Sequence, residues 1–341
     1  MGESGLKERH SAIVMRLSEN PRQYLRLLEL LYNLGTMIRR IFLFVLTNIA
    51  IIVMGTIVLG LIQRIFGINI TGSLHSNWYS LAFFALFYGF FGAFVSLFLS
   101  KWMAKRFHHM QMITLETLMS ASAGEKLVYK TVEHIAQKNG ITMPEVGIYE
   151  SPEVNAFATG ATKNSSLVAV STGLLSKMAP DEVEGVVAHE MAHILNGDMV
   201  TMTLLQGVIN AFVIFLSRAI AQIVSLALRR DEEGANGFVY FGITIVLEIL
   251  LGLAGSLIVM AYSRRREFAA DAGSASFVGK SKMINALRAL QKIHETNVMI
   301  PNDPKIAALK IDGKSNGFMH LFASHPPLEE RIQALQIASI L

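Results

Sequence analysis

The sequence predicts a mostly α-helical membrane protein with a small β-sheet, in which four hydrophobic helices in two hairpins are joined to a compact α+β part. Three observations carry this expectation. Apolar runs at residues 41–62, 81–100, about 203–228 and about 238–262 are each long enough for the roughly 20 residues that cross a bilayer's hydrocarbon core. Lys and Arg gather at the ends of such runs, as at Arg39, Arg40, Arg64, Lys101, Lys105 and Arg106. Between the second and third runs lie short β-like runs and well-signalled helices, the pattern of a folded body outside the lipid.

Composition narrows the class further. Of 341 residues, 52% are hydrophobic and 16% charged, whereas an ordinary soluble domain is roughly a quarter charged. That balance excludes a disordered chain, a collagen-like chain and a coiled-coil rod. With no cysteine, a disulfide scaffold, an Fe–S protein and a Cys-ligated zinc finger are excluded too, so any metal must be held by His, Asp or Glu. The net charge of +4 is scattered along the flanks of apolar runs rather than gathered on one face. The expected partner is therefore the lipid bilayer and not nucleic acid.

In chain order, residues 1–39 read as a loosely amphipathic, helix-prone N-terminal extension. Residues 40–106 form the first hairpin. Its connecting loop, 67–80, has no Lys or Arg, which places residues 1–40 and everything after Lys101 on the cytoplasmic side. Ala85, Gly89 and Ala93 recur every fourth residue, a spacing that lets another helix come close. Residues 107–200 hold a helix at Ala121–Lys138 that ends at Asn139-Gly140, and strands at Val146–Tyr149, Asn155–Thr159 and Leu167–Ser171. A helix opening at Pro180 and closing before Gly197 follows.

Residues 201–263 form the second hairpin, either a true span or a shallower re-entrant one, with a polar turn at Arg229–Glu233. Each of its arms carries one charge, Arg218 and Glu248. Both lie roughly 22 Å in from the common end at 1.5 Å per residue, which predicts an ion pair between the arms. Residues 264–341 supply two more helical segments, about Lys282–Glu295 and Pro327–Ser339.

The chemistry sits in His189-Glu190-Met191-Ala192-His193, in the second half of the helix that Pro180 opens. Histidines at i and i+4 project from one face about a turn apart and suit a single Zn²⁺. Glu190 is carried to the side where an activated water would lie and can take its proton. A third protein ligand is required, and the segment Arg264–Asp271 is the best candidate. Glu267 and Asp271 share a helical face, so Glu267 can bind the metal while Asp271 supports a ligand imidazole. The second hairpin returns the chain to the side it left, bringing the two sets together near the membrane surface. The Arg triplet at 264–266 also reads as a positive-inside anchor.

HEMAH at 189–193, the Glu267/Asp271 pair and Ser324–Arg331 carry a family resemblance, with Lys101–Ala104, Asn155–Gly160, Val168–Leu175 and Asn196–Leu204 in support. Together they resemble the HtpX family of bacterial membrane-embedded zinc metalloproteases, from about Arg40 to the C-terminus. The resemblance implies a zincin-like HExxH metalloprotease domain with one Zn²⁺ per chain, held by His189, His193 and Glu267. It implies Glu190 as general base, Asp271 behind a ligand imidazole, and His325 and Arg331 stabilising the oxyanion or holding substrate and Asp271 in place. Asn155, Ala156, Phe157 and Ala158 match the family's substrate-side strand; on the residues alone they are equally an ordinary strand, and His325 a structural histidine before a proline turn.

By resemblance, the chain is a multi-pass endopeptidase of the bacterial inner membrane with its active site facing the cytoplasm. Its substrates are unfolded, misfolded or damaged membrane proteins, cut in stress-related quality control alongside the FtsH-type ATP-driven protease. The sequence has no phosphate-binding loop of its own. Two other readings are an inactive membrane scaffold or transport protein with a structural zinc site, and a specialised processing protease. The first is favoured only by Arg218 and Glu248. The second needs a larger intramembrane chamber than four spans enclose.

Overall fold

The structure is a computed structural model that describes residues 53–58, 60–65, 67, 78–227, 236–299 and 325–338. The chain divides into two units, residues 1–60 with 298–311 and residues 61–297 with 312–341. The expected N-terminal extension, most of the first apolar run and the 229–233 turn fall outside the described residues; of the first run, 53–58 and 60–62 are helical. The second unit is mostly helical with one four-stranded sheet.

After the helical stretch that reaches residue 65 comes α1 (Trp78–Phe107), a 30-residue apolar helix ending in Lys105 and Arg106. A short strand β1 (Gln111–Ile113) and the single turn α2 (Leu115–Leu118) follow. Helix α3 (Ala123–Lys138) starts two residues later than its sequence signals suggest because Ser122 caps it: Ser122 Oγ accepts the Glu125 N–H and Glu125 accepts the Ser122 N–H. Strands β2 (Glu145–Tyr149), β3 (Ala156–Thr162) and β4 (Ser165–Ser171) lie close to the three expected runs. β1 was not foreseen, since three residues are too few to show a period.

The sheet order is β1-β2-β4-β3, with β2 and β4 parallel and the other pairs antiparallel. β4 is central, and Leu167 to Val170 are wholly buried on both faces, as a continuous apolar run demands. β3 is an edge strand. The turn α4 (Thr172–Lys177) leads into α5 (Pro180–Asn196), whose Val183, Val187, Met191 and Ile194 pack with Val128, Val132 and Ile135 of α3 and with Val146 and Val168 of the sheet.

Among the described residues, three helices are long and apolar enough to cross a membrane: α1, α6 (Asp198–Ala227) and most of α7 (Asn236–Val278). Gly89 of α1 meets the backbone of α6; a methyl on it would fall 2.5 Å from the Ala211 nitrogen. The small-residue spacing on α1 thus marks a real helix contact. Arg218 of α6 and Glu248 of α7 pair at 2.6 Å, as their matched depths predict. Their outward faces leave Phe98, Phe212 and Ile249 exposed. α7 is 43 residues long and passes unbroken from the apolar segment through the Arg triplet to Val278. α8 (Lys280–Met299) and α9 (Leu328–Ile337) complete the described chain.

Candidate active site

Local signals fix the helix that carries the motif. Pro180 occupies the first turn of α5, Glu182 accepts the Ala179 N–H at 2.7 Å, and Gly197 closes the helix in the left-handed region at φ 71°. His189 and His193 project from one face, with their Nε2 atoms 3.1 Å apart. Helix α7 crosses closely enough to bring Glu267 to them. Its Oε2 is 3.5 Å from His189 Nε2 and its Oε1 3.5 Å from His193 Nε2. Small residues permit that approach: a methyl on Gly273 would fall 2.8 Å from Ala192 Cβ, and Ser274 Oγ donates to the Gly185 carbonyl at 2.9 Å.

Each imidazole is steadied from behind by a carboxylate. Asp271 Oδ1 lies 2.9 Å from His189 Nδ1, and Asp198 Oδ2 lies 2.6 Å from His193 Nδ1. An Nδ1–H that donates to a carboxylate leaves the Nε2 lone pair free to bind a metal. Arg331 is buried and grips Asp271 bidentately, with Nε and Nη2 donating at 2.7 and 2.6 Å. His325 is 65% exposed, with Nδ1 2.9 Å from Glu267 Oε2. It therefore stands at the open side of the site, while Arg331 stands behind it.

Asp198 was missed in the sequence. Its one signal was a carboxylate just past the Gly197 cap, where a left-handed residue turns the chain back toward the last helical turn. It is also the first residue of α6, so the His193 support and an apolar helix begin together.

The donor set fits a metal ion. His189, His193 and Glu267 each offer a ligand atom, and these atoms lie within 4.8 Å of one another. Glu267 Oε2 is buried without a hydrogen bond of good geometry, although His325 Nδ1 is 2.9 Å and Arg331 Nη1 3.2 Å away. Burial pulls the His193 pKa down, but Asp198 and Glu267 outweigh it and push it up to about 9. Burial raises the Glu190 carboxyl, and the neighbouring histidines oppose that rise only in part.

Beside the donors lies a cavity of about 280 Å³, walled in part by Asn155 and Ala156. The backbone amide of Ala158 in β3 favours the charged form of the Glu190 carboxyl. Phe157 points elsewhere, packing on Tyr149 and His108 with ring centroids 5.8 and 5.5 Å away. Of the four strand residues named from the sequence, Asn155 and Ala156 reach the cavity. Ala158 meets Glu190 through its backbone.

A buried carboxylate next to a His/His/Glu donor set, beside an edge strand and at the ends of apolar helices, is the arrangement of a metal-dependent peptidase of the membrane. Residues 122–338 match the profile of peptidase family M48. Protease HtpX of Tolumonas auensis is 48% identical over 301 residues, covering 87% of this chain and 99% of its own. A Protease HtpX homolog of Nitrosomonas eutropha is 50% identical over 302 residues, covering 88% and 100%. The chain belongs to peptidase family M48, among the HtpX proteases. The crystal structure of S. mikatae Ste24p shares the fold, with a TM-score of 0.54 at 19% identity over 84% of this chain and 67% of that one.

Proposed function

We propose that this chain is a zinc-dependent endopeptidase of the bacterial inner membrane that cuts misfolded or damaged membrane proteins at the cytoplasmic surface. The observation that carries this is the meeting of Glu267 with His189 and His193 in a donor set beside Glu190. His189, His193 and Glu267 would hold one Zn²⁺, which when bound polarises the scissile carbonyl and acidifies water.

The remaining steps fall to the protein. Glu190 takes a proton from water and hands it to the leaving amine. Asp271 and Asp198 hold the ligand imidazoles in one tautomer, and Arg331 fixes Asp271. His325, exposed at the rim, donates to the developing oxyanion. An extended peptide adds to the free edge of β3, with the Asn155 amide at its backbone.

In this reading the soluble part is a zincin-like domain made of residues 107–200 and 264–341, interrupted by the hydrophobic hairpin 201–263 and anchored by 40–106. The basic flank of α1, Lys105 and Arg106, supports a cytoplasmic active site. Substrates unfolded by other means, an FtsH-type ATPase among them, suit a chain without a phosphate-binding loop.

The test is digestion of an unfolded test protein by the detergent-solubilised chain with zinc, with a chelator, and as Glu190→Gln. Cleavage should require zinc, cease with the chelator and fall by several orders of magnitude in the variant while zinc stays bound. Full activity of Glu190→Gln would refute the assignment.

A further inference from the structure

The two faces of the sheet meet different neighbours. Val146, Ile148, Val168 and Val170 join the core with α3 and α5. Side chains alternate along a strand, so Glu145, Gly147 and Tyr149 of β2 lie on the opposite face. β4 separates β2 from β3, and its register sets Phe157 beside Ala169 and Tyr149 beside Ser171. These small partners let the Tyr149 and Phe157 rings approach across the central strand, with centroids 5.8 Å apart. Phe157 therefore lies on the outer face, while its neighbours Ala156 and Ala158 pack against the core.

The end of α1 and the turn after it cover this outer face at three points. Lys101 Nζ lies 2.9 Å from Glu145 Oε1, and Lys105 pairs with Glu145 Oε2. A methyl on Gly147 would fall 3.1 Å from the Met110 sulfur. His108 sits against both rings, with centroids 5.1 Å from Tyr149 and 5.5 Å from Phe157. Its neighbour His109 turns the chain at φ 46°, in the left-handed region that few residues other than glycine adopt, and the Met110 N–H donates back to the Lys105 carbonyl. Such a conformation persists where the surroundings hold it. Anchorage in the bilayer requires none of these contacts.

We propose that the end of α1 belongs to the substrate-holding apparatus, with His108 as a positioning residue that packs on Phe157 and so keeps the edge of β3 in place beside Glu190. The inference rests on the peptidase reading, in which an extended peptide adds to β3, and deepens it by making a membrane helix a determinant of substrate affinity. A strand held in place beforehand does not have to be ordered when the peptide pairs with it. This gain is common to the bound substrate and the transition state, so it shows in KM and not in kcat.

The test uses the full zinc-loaded chain in detergent and a self-quenched fluorescent unfolded protein as substrate. His108→Ala should raise KM about three- to tenfold, the size of one aromatic contact, and leave kcat within about twofold. His108→Phe, which keeps a ring, should restore the wild-type KM. Phe157→Ala should raise KM in the same way, and combining it with His108→Ala should add nothing further. Lys101→Gln with Lys105→Gln, which tests the same connection from the Glu145 side if Phe157→Ala fails to fold, should also raise KM. An unchanged KM in His108→Ala or in the lysine variant, a loss confined to kcat, no rescue by His108→Phe, or additive effects of His108 and Phe157 overturn the positioning role and leave the peptidase reading standing. No zinc-dependent cleavage by the wild type overturns both.

Discussion

Asp198 and Asp271 flank the donor set symmetrically, one carboxylate behind each imidazole, yet only Asp271 was visible in the sequence. Asp271 sits four residues from Glu267 in one helix, a spacing that can be read directly. Asp198 lies beyond a helix end, and its contact exists only because Gly197 adopts φ 71°. Losing such a partner typically weakens metal binding 10–100-fold. Asp198→Ala should therefore raise the zinc dissociation constant by about that factor in chelator competition; an unchanged constant would remove its role. Arg331→Leu should cost up to about 3–5 kcal/mol in thermal unfolding, since the buried Asp271 carboxylate would lose its bidentate cation and keep only the His189 Nδ1 contact. Protons compete at the same atoms. With the His193 pKa near 9 in the metal-free protein, zinc must displace a proton at neutral pH. Apparent affinity should fall about tenfold per unit for each displaced proton as pH drops from 8 to 6. Calorimetry in buffers of differing ionisation enthalpy counts those protons.

Among the elements, α5 was the most legible because its signals are chemical: Pro180 at the start, Glu182 reaching back to Ala179, and Gly197 at the end. The sequence did not show that α7 is continuous. Hydropathy breaks at Arg264, which reads as a boundary, but helix-forming residues such as Ala269, Ala270 and Ala272 carry the helix onward to Val278. That continuity makes Glu267 part of a rod rooted in the apolar segment. The α5–α7 contact is tight at Gly273, where a methyl would fall 2.8 Å from Ala192 Cβ. Gly273→Leu should cost about 1–3 kcal/mol of stability and lower zinc affinity with it, because the donors separate when the helices do. Thermal melts and zinc titration of one preparation check this; full zinc affinity in the variant would show that the contact does not set the donor spacing.

At the scale of the molecule, α6 and α7 bring together parts of the site that are far apart in sequence. Their Arg218–Glu248 pair at 2.6 Å, with the Arg218 guanidinium 5.4 Å from the Phe84 ring, ties α1, α6 and α7 together away from the donors. It was readable because two lone charges at equal depth in apolar helices have few other partners. An unpaired charge at the centre of a membrane helix costs about 2.5–3.5 kcal/mol on insertion scales. Arg218→Glu should destabilise on that order and Glu248→Arg should restore most of it; a double variant no better than the single one contradicts the pairing.

The central claim is that two imidazoles of α5 and a carboxylate of α7 share one zinc ion. X-ray absorption at the zinc edge of the purified protein tests it most directly. The account predicts two imidazole nitrogens at about 2.0–2.1 Å with oxygen ligands at about 2.0–2.2 Å, and loss of that spectrum in Glu267→Ala. A protein that binds no zinc, or whose spectrum is unchanged by Glu267→Ala, would contradict it.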